Sequence, residues 1–306
     1  MDSTLEIWET PIALEMVMIA GWRQWADAGS ISSGLPEYLI EQTKARLIGE
    51  IKSNGFYLFQ LPGAHHLLRP VVRFEDGYRR HLEKRRNELY FAGNGGKGLV
   101  IFLGDEPHLD IDRYATAFFT AVHTLGVQRV ASLGGVYGPV PYDKDREVGC
   151  IYSLPEMKAE LSHYALRFSD YEGGASIGSY LVDRAEREGV PFQAFYGFVP
   201  NYDFSQLGAV GREVRLEYDY KAWLDIMRRL NRLLGLNVNL TDLEQKSQYL
   251  LAAMEEQLEE LADKTPQVNI RGIMEQISAQ FTERPFTPLD DVWEQGLADL
   301  FNDLDE

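Results

Sequence analysis

The sequence predicts an α/β protein in which helices cover a mostly parallel or mixed sheet. Three observations carry that prediction. Leu99-Val100-Ile101-Phe102-Leu103 and Val130-Ala131-Ser132-Leu133 are short apolar runs of the kind a buried strand requires, and each stops abruptly at Gly104 or Gly134. Between them, Tyr114, Ala117, Phe118, Ala121, Val122 and Leu125 recur at helical spacing up to the stop at Gly126. Strand, crossover helix and strand in that order describe a parallel unit, whose ligands bind beyond the carboxyl ends of the strands.

The other elements are read in chain order. Ile12 to Ala20 reads as a strand breaking at Gly21-Trp22. A loop holding Asp27-Ala28-Gly29 comes next, and then a helix capped by Ser30 or Ser32, with Leu35, Leu39 and Ile40 on its apolar face to about Thr43. Residues 46 to 91 alternate in short segments, and Pro70–Phe74 with Tyr78–Leu82 around Glu75-Asp76-Gly77 form a hairpin signal. Gly173-Gly174-Ala175-Ser176-Ile177-Gly178 leads into a helix from Ser179 to Glu188, and Phe192 to Val199 is a further strand ending at Pro200-Asn201-Tyr202-Asp203. From Tyr220 the pattern is helical: Trp223, Ile226, Met227, Leu230, Leu233 and Leu234 share a face that ends at Gly235. Thr241 and Glu244 then make a capping-box pair for a helix to about Asp263. Pro266, Pro285 and Pro288 break the chain beyond that helix, and Asp291 to Leu304 reads as a last acidic amphipathic helix. The division expected is an α/β core over residues 1–219 and a helical hairpin with an acidic appendage over 220–306.

Composition narrows the function classes. The chain has 306 residues, 45% hydrophobic and 25% charged, with a net charge of −17. Residues 236–306 hold 16 acidic against 4 basic residues, so most of that charge belongs to the carboxyl-terminal part. Such a surface repels nucleic acid. No apolar run is long enough for a membrane span and the first residues lack a signal pattern, so neither nucleic acid nor membrane is an expected partner and the cytoplasm is the expected compartment. The single cysteine, Cys150, supports neither a disulfide nor a thiolate metal cluster, and no metal or cofactor is implied. The basic run Arg79-Arg80 with Lys84-Arg85-Arg86 is interleaved with Glu75, Asp76, Glu83 and Glu88 and reads as a solvated, charge-mixed face.

Asp105, Glu106 and His108 are the catalytic candidates, because two carboxylates and an imidazole at one strand end are the groups that acid–base work or a metal would use. The competing reading, which is preferred, has the two carboxylates capping the helix that follows Pro107. His65-His66 are adjacent and point apart on an extended backbone, so they do not form a chelating pair. The glycine clusters at 93–98 and 173–178 lack P-loop and dinucleotide signatures, and no Gly-x-Ser-x-Gly elbow is present.

Taken together, Gly21-Trp22 with Asp27-Ala28-Gly29, Arg69-Pro70, Gly104-Asp105-Glu106-Pro107-His108, Gly134 to Pro141, the Gly173 region and Val199-Pro200-Asn201-Tyr202 resemble, in the same order, the proteasome-assembly-chaperone-like family. The resemblance covers about residues 12–235. It implies a three-layer α/β/α sandwich of the phosphorylase/hydrolase-like type, a homo-oligomer, and a non-catalytic protein whose relatives assemble or bind proteasomes. It also marks Trp22, Asp27, Gly135, Pro141, Tyr142, Gly174, Asn201 and Tyr202 as residues of a ligand or partner surface. Where the family often has Pro-His-Thr-Arg and Pro-His-Tyr, this chain has Pro141-Tyr142-Asp143-Lys144 and Pro200-Asn201-Tyr202, which removes two acid–base groups. The chain ends Phe301-Asn302-Asp303-Leu304-Asp305-Glu306, without the hydrophobic-Tyr-any-residue ending that archaeal relatives use on proteasome rings, so docking by that route is not expected. The alternative to a binding protein is a hydrolase or group-transfer enzyme using Asp105, Glu106 and His108 beside Asp27 and Asn201.

Overall fold

The computed structural model describes residues 4–59, 69–204, 213–266 and 268–286. The first half forms β1 (Leu5–Ile7), β2 (Glu15–Arg23), α1 (Gly34–Thr43), β3 (Arg46–Ile51), β4 (Val72–Glu75), β5 (Tyr78–Leu82), β6 (Asn87–Gly93), β7 (Lys97–Asp105), α2 (Ile111–Thr124) and β8 (Arg129–Gly138). The second forms β9 (Val148–Tyr152), α3 (Met157–Leu161), β10 (Arg167–Phe168), α4 (Ile177–Glu188), β11 (Phe192–Asp203), β12 (Glu213–Arg215), α5 (Tyr220–Leu233), α6 (Thr241–Lys264) and α7 (Ile270–Gln280). The segments at His65-His66 and Asp291–Leu304 lie outside the described residues.

One mixed sheet runs in the order β1-β3-β6-β7-β2-β8-β11-β9-β10, with β12 paired to the far end of β11. Its centre, β7-β2-β8-β11, is parallel; β6, β3 and β1 on one side and β9 on the other are antiparallel to their inner neighbours. The expected strand-helix-strand unit is β7-α2-β8, but its strands are not neighbours: β2 is inserted between them and pairs with both. The crossover therefore spans one strand, and all four carboxyl ends still share one edge.

Alternation along the strands sorts side chains onto two faces. Val17, Ile19, Leu99, Ile101, Leu133 and Phe195 pack under α1, α5 and α6. Met16, Met18, Ala20, Val100, Phe102 and Val130 pack against α2 and α4. Helices, sheet and helices make the three-layer sandwich. Helix α5 belongs to this core: Ala222, Ile226, Met227 and Leu230 are fully buried and the Trp223 indole donates to the Gly29 carbonyl at 3.0 Å. The 219/220 boundary expected from the sequence thus runs through continuous packing.

Two local expectations are corrected. The Thr241/Glu244 capping box does not form, because Thr241 is the first helical residue, Asn239 Oδ1 accepts its N–H at 2.9 Å, and Glu244 reaches Arg228 of α5 instead. The start of α1 is held not by Ser30 or Ser32 but by Asp27, whose carboxylate accepts from the Ser32 and Ser33 amides, both at 2.9 Å, and from Ser33 Oγ at 2.7 Å. No helix among the described residues is long and apolar enough to cross a membrane.

Candidate functional site

The carboxyl edge of the sheet carries a cleft of about 210 Å³ between the loop after β7 and the start of α4. One wall is Glu106 to Ile111; the other is Ala175, Ser176, Ile177 and Tyr180. The walls are tied together by Glu106, whose Oε1 accepts the Ile177 amide at 2.8 Å while Oε2 accepts the Trp25 amide at 3.2 Å. The Tyr180 hydroxyl adds a second tie by donating to Asp112 of α2 at 2.7 Å. Glu106 therefore does serve a helix N-terminus, as a capping carboxylate should, but the helix is α4 and not the α2 that follows Pro107. Burial pushes its carboxyl above the ordinary value, and the two amides pull it partly back.

Asp105 is committed elsewhere. It is buried and accepts the Arg86 amide at 2.8 Å and Arg85 Nη1 at 3.2 Å, with Arg23 Nε 3.3 Å away. Its partners are two guanidinium groups and the backbone just before β6. His108 stands at the cleft mouth, edge-on to the Tyr57 ring at 5.6 Å, and its Nδ1 accepts the Leu58 amide at 3.1 Å. The Gln24 amide lies 3.1 Å from Nε2. Burial, and then the charge of Arg85, hold the imidazole pKa below its usual value. The three candidates thus share a loop without converging: Asp105 faces the arginines, Glu106 faces two amides, and His108 is accepting a backbone bond.

The residues marked as a partner surface line the same edge but mostly build it. Trp22 is 3% exposed, its indole donating to the Tyr114 hydroxyl at 2.8 Å and packing on Phe102 and Phe118, so it is a core residue and a correction to the expectation of a contact residue. Asp27 holds the turn that leads into α1, as described above, and burial raises its pKa. Gly135 is there because the Asp27 loop crosses it: a Cβ would lie 2.0 Å from the Ala28 carbonyl oxygen. Tyr202 is buried and donates to the Val140 carbonyl at 2.6 Å. Pro141 and Tyr142 lie in a segment whose carbonyls are gathered by Arg146, at 3.3 and 2.9 Å. Asn201 is half-buried and pairs in register with Arg215, and Gly174 is exposed on the loop before α4.

Sequence reasoning missed apolar side chains that face solvent on the cleft wall and on the loops after β2 and before α4. Trp25 is 72% exposed one turn of loop beyond β2, Leu109 is 45% exposed on the cleft wall, and Tyr171 is 72% exposed with its hydroxyl 3.5 Å from the Gly174 carbonyl. The available signal was an aromatic or aliphatic residue in a loop just after a strand end, where no core position waits for it. It also missed the buried ionic group behind Pro141 and Tyr142: Arg146 is 1% exposed and meets Asp219 at 2.8 Å, its amide donates to Asp225, and Asp225 is held by Lys221 at 2.7 Å. Cys150 is buried in β9, and its thiol is pushed up to about 12, which leaves it unionised at neutral pH. Among the described residues no group of three or more His, Cys, Asp or Glu could hold a metal ion.

Sequence comparison establishes the lineage of this architecture. The profile of the PAC2 family matches residues 22–261. The chain belongs to the PAC2 family. No curated protein matches it. Among solved structures it is similar to a PAC2 family protein from Streptomyces avermitilis, at 24% identity and a TM-score of 0.67, over 79% of this chain and 95% of that one. It is similar to a proteasome-assembly chaperone homologue from Mycobacterium tuberculosis, at 23% identity and a TM-score of 0.68, over 79% and 94%. It is also similar to PbaB, an archaeal proteasome activator from Pyrococcus furiosus, at 18% identity and a TM-score of 0.58, over 83% and 97%. At these identities the likeness establishes the fold.

Proposed function

We propose that this PAC2 chain is a non-catalytic, homo-oligomeric binding protein that takes a protein partner on the carboxyl edge of its sheet, in an assembly role of the kind named for its proteasome-assembly relatives. One observation carries the reading. Asp105, Glu106 and His108 each hold backbone amides, whereas Leu109 on the cleft wall and Trp25 and Tyr171 on the loops after β2 and before α4 stand open to solvent. An edge built this way offers a rigid concave surface with aromatic anchors, which is how protein interfaces concentrate their energy. A hydrolase would need the reverse, with Glu106 or His108 free to exchange a proton with a substrate.

The test is a calorimetric titration of the purified protein with proteasome α-subunits from the same cell. Trp25→Ala is expected to weaken binding about tenfold or more, in keeping with an aromatic hot spot. Absence of binding by the unaltered chain, or turnover of ester or phosphoester substrates that His108→Gln abolishes, would overturn the reading.

A further inference from the structure

We propose that Arg23, Gln24, Arg85 and His108, on the rim of the carboxyl edge, form a binding site for a single carboxylate group. The segments that supply them are fixed to one another through backbone. The Glu106 amide donates to the Arg23 carbonyl at 3.2 Å, the Asp105 amide to the Arg86 carbonyl at 2.9 Å, and the His108 amide to the Phe56 carbonyl at 2.8 Å. Arg85 thus departs from the solvated face that its basic run suggests: its side chain is 22% exposed and its Nη1 lies 3.2 Å from Asp105.

Donors outnumber acceptors here. His108 Nδ1 accepts the Leu58 amide, so the neutral ring carries its proton on Nε2. One end of the Gln24 amide lies 3.1 Å from that Nε2, and the other lies 2.7 and 2.9 Å from Arg85 Nη1 and Nη2. If the Gln24 oxygen takes the imidazole proton, its NH2 faces the guanidinium; if the oxygen takes the guanidinium, the NH2 faces the Nε2–H. Either way donor meets donor. Arg23 adds two more, because its Nε and Nη2 are buried without a hydrogen-bond partner among the described residues, although Asp105 lies 3.3 Å from Nε. Unanswered donors are costly, and an anion is the group that answers several at once. Gln24 is also held at a φ of 114°, which residues with a Cβ rarely adopt, so its amide is kept at this point against a backbone cost.

Charge selects the ligand. Asp105 answers one of the two guanidinium groups, and Glu83 comes no closer than 3.9 Å to Arg23 from an exposed position. His108, whose pKa is held below its usual value, brings a donor without a charge at neutral pH. One positive charge is left, which a carboxylate balances. A phosphate dianion would exceed it in a chain of net charge −17. The site goes beyond the reading of a protein partner, since a free organic acid and an acidic side chain present the same group.

The test is NMR of the His108 ring in the full chain, its signals assigned by their absence from His108→Gln, during titration with acetate. Acetate is expected to move these signals saturably and to raise the imidazole pKa, because a negative charge beside the ring favours its protonated form. Sodium chloride at equal ionic strength is expected to do neither. Arg23→Met is expected to weaken acetate binding about tenfold or more. Gln24→Gly is expected to weaken it as well, with a melting temperature at or above that of the unaltered chain, since glycine takes this backbone conformation without strain. A weaker site in an equally stable protein separates lost binding from lost folding. No saturable response to acetate, or unchanged affinity in both variants, overturns the site. Inorganic phosphate binding at least as tightly as acetate overturns the choice of a single charge. A capped tripeptide with a central aspartate that binds about tenfold tighter than acetate assigns the carboxylate to an acidic side chain of a partner, and one that binds no tighter assigns it to a free organic acid.

Discussion

Gly135 shows how the residue scale separates position from purpose. A methyl there meets backbone, the Ala28 carbonyl at 2.0 Å, which no rotamer change relieves. Gly135→Ala is therefore expected to destabilise the protein by about 2 kcal/mol, checked by urea denaturation, whereas a ligand-contacting glycine would lose binding and keep its stability. His108 makes a pH prediction. Its imidazole pKa is depressed in the folded state, so its contribution is present above the unfolded value near 6.5 and is lost as pH falls through the folded value. Melts of the unaltered chain should lose stability below pH 6.5 faster than those of His108→Gln, which keeps an acceptor for the Leu58 amide. Identical pH profiles would contradict the assignment. Trp22 and Gly135 were legible in the sequence as strand-end residues and Asp27 as a loop residue, but their structural roles were not. The ring of Trp22 turns inward because Tyr114, 92 positions away, supplies the acceptor for its indole.

At the scale of elements, periodicity makes β7, α2, β8, α4, β11 and α5 readable, and the Asp76-Gly77 turn makes the hairpin readable, because each signal is local. Sheet order is not local. Nothing near residue 100 or 130 encodes that β2 lies between those strands, and nothing near Glu106 encodes that it caps a helix 71 residues further on. The ionic group under the loop after β8 is hidden for the same reason, since Arg146, Asp219, Lys221 and Asp225 read singly as solvated charges. Together they fasten that loop to the start of α5. Arg146→Met leaves Asp219 buried and uncompensated, and the expected loss is about 3–5 kcal/mol in denaturant melts. Pairing it with Asp219→Asn should cost less than the two single changes together; strict additivity would mean that the residues do not act as a pair.

Across the whole molecule, charge and apolar exposure are segregated in a way neither faces nor loops predict alone. A basic hairpin stands in an otherwise acidic chain, and at the carboxyl-edge cleft Leu109 is open to solvent while Glu106 is turned inward to hold two amides. The family resemblance was legible from an ordered series of short motifs. The surface that would use it was not, because Trp25 and Tyr171 belong to no motif and their exposure depends on how α4 and the loop after β2 meet at Glu106. That meeting is the central claim: a fixed edge that binds protein. The most direct measurement is native mass spectrometry of the tagged protein recovered from its own cells, run in parallel with Trp25→Ala. The account predicts a protein partner at fixed stoichiometry with the unaltered chain, lost from the Trp25→Ala sample. A chain recovered with a small molecule in place of a protein, and equally so from the variant, would contradict it.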